Sequence, residues 1–329
     1  MGEGGTVSRD FTRRELARLV GLSALALPAV GRGAAVSSAG RGRVGTAALA
    51  PSPGGAVDPA QARRALAAAI RAATGAPSTR AALGALFAPT DTVGIKVNCL
   101  GGRNLSPRRE LVEALVDLLA EAGVPAERII VFERSSRELQ RAGFPVRRDG
   151  PGYRCFGIDN DYDPSPSTSG AIGSCFARLV STTCTALIGF GVVKDHDLAG
   201  VSSSLKNWYG VIHNPNKYHD GNCDPYVADV CNHPFVRGKL RLTVLDGVVA
   251  QCHGGPAFRS DATFPLGRVA AATDPVAADA WAWRVIDAER RRRGLPTLAE
   301  AKRPPRFIAT AAGYGLGVGD PAAVVEVSG

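Results

Sequence analysis

The most constraining stretch of this chain runs from residue 92 to residue 133. Residues 92–100 set Val93, Ile95, Val97 and Cys99 at strand spacing, and Ser106 with Pro107 then offers a helix cap and a first helical residue. Leu111, Leu115, Leu118 and Leu119 recur at helical spacing, Gly123 ends that period, and residues 129–133 are apolar almost throughout. Two strands separated by a helix cannot be joined as a hairpin, so they lie parallel, with a right-handed crossover. Further apolar segments at 185–193, 240–249, 269–272, 306–311 and 323–327 read as strands, and residues 58–73, opened by Asp58 and Pro59, and 275–293 read as helices. The expectation is an α/β fold.

More specifically, the order of elements predicts a Rossmann-like parallel or mixed sheet with helices on both faces, in one body or two lobes. Ligands in such sheets collect beyond the carboxyl ends of the strands. Lys194, Asp195, His196 and Asp197 directly follow one expected strand, and residues 98–104, with Gly101 and Gly102, leave another. All five histidines, His196, His213, His219, His233 and His253, fall in the same part of the chain, among Asp195, Asp197, Asp220, Asp224, Cys223, Cys231 and Cys252. Imidazole titrates near neutral pH and is the commonest metal ligand, so this grouping points to a metal- or cofactor-bearing cleft built from residues 194–206, 213–231 and 251–255. His196, His213, His219, His233 and Cys223 are the candidate ligands of a transition metal. Asp195, His196 and Lys206 are the candidate catalytic groups, with His219 a further ligand or proton-transfer group. Lys96, Lys194 and Lys206, with Asn98 and Asn207, would bind a small anionic ligand or cofactor. A helix starting near Ser202 or Ser203 would add its amino-terminal N–H groups to Lys206. None of the seven cysteines forms a Cys-x-x-Cys pair, which argues against a ferredoxin-type cluster or zinc ribbon within the chain. For Cys223, Cys231 and Cys252, a disulfide and metal ligation both stand.

At the amino terminus, Arg13 and Arg14 precede an apolar run at 19–30 and then small residues through Ala35, the order of a twin-arginine export signal. That run, interrupted by Gly21 and Pro28, is too short for a permanent membrane span. The translocase is the expected partner, with a periplasmic or extracellular destination. Residues 36–57, small and Gly/Ala-rich, read as a linker ahead of a domain at 58–329. The net charge of +9 does not indicate nucleic acid, because aromatic residues make up only 6% and none interleaves the arginines at 290–293, which sit at a helix end that favours cations.

Two short motifs carry little chemistry. Gly313, Gly315, Gly317 and Gly319 alternate with other residues after an expected strand but open no helix to hold a pyrophosphate, and Ser203-x-x-Lys206 lacks the partner motifs of penicillin-binding enzymes. The run from His196 to Gly210 says more. Together with Lys96-Val97-Asn98, His233-Pro234, Val244-Leu245-Asp246-Gly247, Gly254-Gly255-Pro256, residues 273–279 and Gly315-Leu316-Gly317, it resembles the family known as domain of unknown function 362. Members of that family are sometimes fused to iron–sulfur modules, which would imply a redox partner. His196, Ala199, Gly200, Ser202 and Lys206 also fall in the register of nickel-pincer lactate racemases. That likeness implies a lysine-bound nucleotide, nickel on a downstream histidine (His213 or His219) and an acid/base role for His196. Where the racemases carry another acid/base histidine, this chain has Glu133 and Arg134. The resemblance makes iron or nickel the metal to expect and leaves the organic cofactor open. The chain is expected to be an exported enzyme acting on a small anion; the alternative is a non-enzymatic iron–sulfur or metal-associated redox or carrier protein.

Overall fold

The structure, a computed structural model, describes residues 40–51 and 56–329. The region read as an export signal lies outside the described residues. Five parallel strands form one half of a central sheet: β2 (Val93–Val97), β3 (Ile129–Glu133), β4 (Arg154–Gly157), β7 (Ala186–His196) and β9 (Leu240–Gln251). Two small strands, β5 (Ser167–Ser169) and β6 (Ile172–Ser174), pair apart from the sheet. Beyond β9 the sheet turns antiparallel through β11 (Arg268–Ala272), then β1 (Arg43–Ala48), with β12 (Val325–Ser328) parallel to β1 at the edge. The order is β12-β1-β11-β9-β7-β2-β3-β4, with β8 (Gly200–Val201) on β7 and β10 (Thr263–Phe264) on β9. From β2 the chain moves outward to β3 and β4, then returns to the other side as β7 and β9. The order therefore reverses between β2 and β7, which opens a crevice at their carboxyl ends.

Alternate strand residues feed two cores. Ile129, Val131 and Ile188 face the core that holds α1 (Pro59–Thr74), α2 (Thr79–Leu86) and α3 (Arg109–Glu121). Ile130, Phe132 and Leu187 face the core shared by α5 (Tyr226–Asn232), α7 (Pro275–Arg292) and α8 (Arg306–Gly313). The remaining helices are short: α4 (Ser136–Ala142) and α6 (Pro234–Arg237). Both sheet faces are covered, which is why the parallel strands are apolar along their length. The described residues gather into one compact unit rather than two lobes.

Two expectations are corrected. The segment 36–57, read as a linker, contains β1, which lies inside the sheet. Its small residues reflect close packing: a Cβ on Gly45 would stand 2.2 Å from the Ala69 carbonyl oxygen and 2.3 Å from the Ala73 nitrogen of α1. Residues 306–311 form the first part of a helix, α8, with Phe307, Ile308 and Ala311 on one buried face. The glycine-rich end serves packing as well. Asp274 caps α7 through Val276 N and Ala277 N and also accepts from Gly42 N and Val318 N, so a Cβ on Gly317 would fall 1.8 Å from its Oδ1.

Candidate functional site

β7 runs on through His196, because Asp195 and His196 pair with Val201 and Gly200 of β8. Lys194 and His196 therefore share one side of the strand and Asp195 takes the other. Asp195 is fully buried away from the crevice, where it accepts from Gly255 N at 3.0 Å and Arg303 at 2.9 Å, and Arg303 also donates to the His196 carbonyl at 2.8 Å. Asp195, a candidate catalytic group from the sequence, instead anchors the end of β7 to the chain near residue 303.

His196 lines a cleft of about 420 Å³ together with Lys96, Asn98, Glu133, Ser202, Lys206, Asn207, Tyr209, Asn216 and His219. Its Nδ1 accepts from the backbone of Leu198 at 3.1 Å and Ala199 at 3.2 Å, so the neutral ring carries its proton on Nε2. Burial, reinforced by the Lys206 charge, pushes its pKa down to about 2. His219 has the opposite tautomer. Its Nδ1 meets the Pro215 carbonyl oxygen at 3.0 Å and must donate, which leaves the Nε2 lone pair to accept from Lys206 Nζ at 3.1 Å. The two rings lie 5.8 Å apart between centroids and 29° from parallel. Burial, then Lys206, lowers the pKa of His219 as well.

Lys206, Asn207 and Tyr209 stand on a 3-10 segment, Leu205–Val211. The fully buried Asp279 of α7 accepts from Ser204 N at 2.7 Å and Leu205 N at 2.8 Å, and burial pushes its pKa up to about 7 against those bonds. These N–H groups are thus committed to Asp279 and cannot bind an anion, contrary to the expectation for this turn. Lys206 Nζ also lies 4.1 Å from the centroid of the Tyr209 ring. Burial brings its pKa down to about 8, against the opposing pull of Cys223 beside it.

Below the cleft lies a buried polar floor. Lys96 Nζ donates to the Val97 carbonyl at 2.6 Å, Glu133 at 3.0 Å and Asn207 Oδ1 at 3.1 Å, and Asn207 Nδ2 returns a bond to the Lys96 carbonyl at 2.8 Å. Gly210 makes room for this lysine, since a Cβ there would come within 2.8 Å of Lys96 Nζ. Lys194, fully buried and lowered to about 8 by burial, donates to Asn98 Oδ1 at 3.1 Å. With its oxygen so engaged, Asn98 has only its amide N–H groups left to offer to the cleft it lines.

The proposed metal set does not come together. Exposed His213 packs edge-on against Tyr162. His233 stacks on Phe176 at 4.2 Å and caps α6 by accepting from Phe235 N. Cys223 is buried behind Lys206, and burial raises its pKa. No group of three or more His, Cys, Asp or Glu side chains among the described residues is placed to hold a metal. The tautomers add to this: His196 presents an N–H, and the only free imidazole lone pair in the cleft is already bonded to Lys206. The residues present do not fit a transition ion held by the protein alone. All seven cysteines are free thiols, so the disulfide alternative for Cys223, Cys231 and Cys252 is not realised either.

Sequence reasoning missed Glu133, Tyr209, Asp279 and Arg303 as site-building residues. Glu133 had a readable signal, an acid closing an apolar strand. Asp279 had another, an acid on the apolar face of α7. Arg303 had none.

The chain is thus a mixed α/β protein of Rossmann-like organisation, with a lysine- and histidine-lined crevice where the strand order reverses. Residues 93–284 match the family described as Domain of unknown function (DUF362), and the chain belongs to that family. No curated protein matches it. Among solved structures it is similar to a protein from Thermotoga maritima at 10% identity and a TM-score of 0.37, covering 64% of this chain and 53% of that one, so the chain spans about half the length of that protein. No helix among the described residues is long and apolar enough to cross a membrane.

Proposed function

We propose that this chain is an exported enzyme that holds a small anion in the crevice between β2 and β7 and moves a proton on it. One observation carries the reading: two facing imidazoles of one cleft are fixed in opposite tautomers, His196 as an Nε2–H donor and His219 as an Nε2 acceptor. A donor and an acceptor in one cleft are what acid–base chemistry requires, His196 acting through its Nε2–H and His219 through Lys206, to which its Nε2 is bonded. The Asn98 amide, the Lys206 ammonium and the charge of Lys194 behind Asn98 favour a negatively charged ligand. Export by the twin-arginine route rests on Arg13 and Arg14 and the apolar run that follows them.

The test is thermal melting of the full chain in formate, acetate, pyruvate and phosphate, compared with Lys206→Met. An anion present at about 100 times its dissociation constant stabilises by about 2.7 kcal/mol, a readable shift. At least one anion should raise the melting temperature of the wild type and leave Lys206→Met unmoved. If no anion acts, or both proteins respond equally, the anionic cleft is refuted.

A further inference from the structure

We infer that Lys206 is a carbonyl-addition amine, and that the cleft accepts a small oxo acid that it binds covalently as an imine. The inference rests on the anion-binding reading above and adds to it a substrate class and a nucleophile.

The two lysines that line the cleft differ in one respect. Lys96 has its counter-ion, Glu133, at 3.0 Å. Lys206 has none, because no carboxylate among the described residues lies within ion-pair distance of its Nζ, although the residue is only 7% exposed. What surrounds it instead is the Nε2 of His219, the face of Tyr209 and the thiol of Cys223. The thiol is no substitute counter-ion, since burial keeps it protonated. An ammonium with no anion and little water yields its proton readily, and the free amine is a nucleophile. The groups needed to use that nucleophile are at hand. His219 Nε2, at 3.1 Å, takes and returns a proton, while His196 Nε2–H and the Asn98 amide face the same space as donors for a developing oxyanion. The cleft's volume of about 420 Å³ exceeds what a two- or three-carbon acid needs.

The chemistry balances without an oxidant or reductant. The Nζ lone pair forms a bond to the carbonyl carbon as the C=O π pair moves onto oxygen. The nitrogen releases one proton through His219 to that oxygen, giving a carbinolamine. A second N–H proton follows the same path, the C–O bond breaks, and the carbonyl oxygen leaves as water while C=N forms. The substrate carboxylate rests against Asn98, Ser202 and Asn216, with the charge of Lys194 behind Asn98.

The experiment incubates the full chain with glyoxylate or pyruvate and cyanoborohydride, followed by intact mass measurement and peptide mapping. One reduced adduct per chain is expected, on the peptide that holds Lys206, absent in Lys206→Arg and formed at least about tenfold more slowly in His219→Gln. Labelling spread over exposed lysines such as Lys217 and Lys302, equal in wild type and Lys206→Arg, overturns the inference. Mapping of the wild type decides the matter alone should Lys206→Arg fail to fold. If the oxo acids raise the melting temperature but leave no adduct, the anionic cleft stands and the imine falls. If they do neither and the other anions also fail, both fall.

Discussion

Replacing Glu133 by glutamine tests whether the floor of the cleft is built as described. The substitution preserves shape and removes one charge from a pair in which Lys96 is 1% and Glu133 5% exposed. Lys96 would keep the Val97 carbonyl and Asn207 Oδ1 as neutral acceptors. Breaking a buried ion pair from one side leaves an uncompensated charge and costs about 3–5 kcal/mol. The amide also has to face the backbone N–H groups of Cys99 and Arg134 with one acceptor oxygen where the carboxylate had two. At about 2–4 °C per kcal/mol for a domain of this size, the melting temperature should fall by about 6–20 °C. Urea denaturation gives the free energy directly, and Lys96→Met in the Glu133→Gln background should recover at least half the loss by removing the stranded charge. A loss below about 1 kcal/mol, or a double variant no more stable than Glu133→Gln, would refute the argument that this pair is desolvated and mutually dependent.

Above pH 8, where its carboxylate is ionised, Asp279→Asn should cost about 1.5–3 kcal/mol in denaturation and reduce anion-induced stabilisation, because the charged acceptor for Ser204 N and Leu205 N also fixes the segment that carries Lys206. Gly317→Ala should destabilise by about 2 kcal/mol or more, since its Cβ meets an Asp274 carboxylate already held by four N–H groups, whereas Gly313→Ala, with nothing within 4 Å, should stay within about 0.5 kcal/mol in the same assay. Because burial lowers Lys206 to about 8, anion-induced stabilisation should decline as pH rises through 8. The fold's own stability should gain over the interval from there to the usual lysine range, where the unfolded chain holds the proton that the folded one has released; melting curves at stepped pH read both slopes. Changing Arg13 and Arg14 together to lysine should trap the precursor inside the cell, and unaltered processing would sink the export proposal.

What the sequence determined by itself was what depends on near neighbours. Period-2 and period-3.6 apolar patterns, Asp58 and Asp274 ahead of helices, and the 92–133 unit together establish an α/β sheet with its chemistry at the strand ends, because caps and periodicity act within a few residues. The concentration of His196, Lys206 and His219 near one strand end was legible for the same reason. Tertiary structure decided which of these groups act together. Whether Asp195 or His196 faces the cleft depends on the register of β7, and Asp195 is claimed by Arg303, more than a hundred residues away. The tautomers of His196 and His219 are set by the backbone N–H groups of Leu198 and Ala199 between β7 and β8 and by the Pro215 carbonyl, neither of which a pattern of residue types specifies. The strand inside the apparent linker and the helix at 306–313 were hidden because short apolar or small-residue runs suit either state until a distant surface pairs with them. For β1 that surface is β11, β12 and the backbone of α1, packed so closely that only glycine fits at position 45.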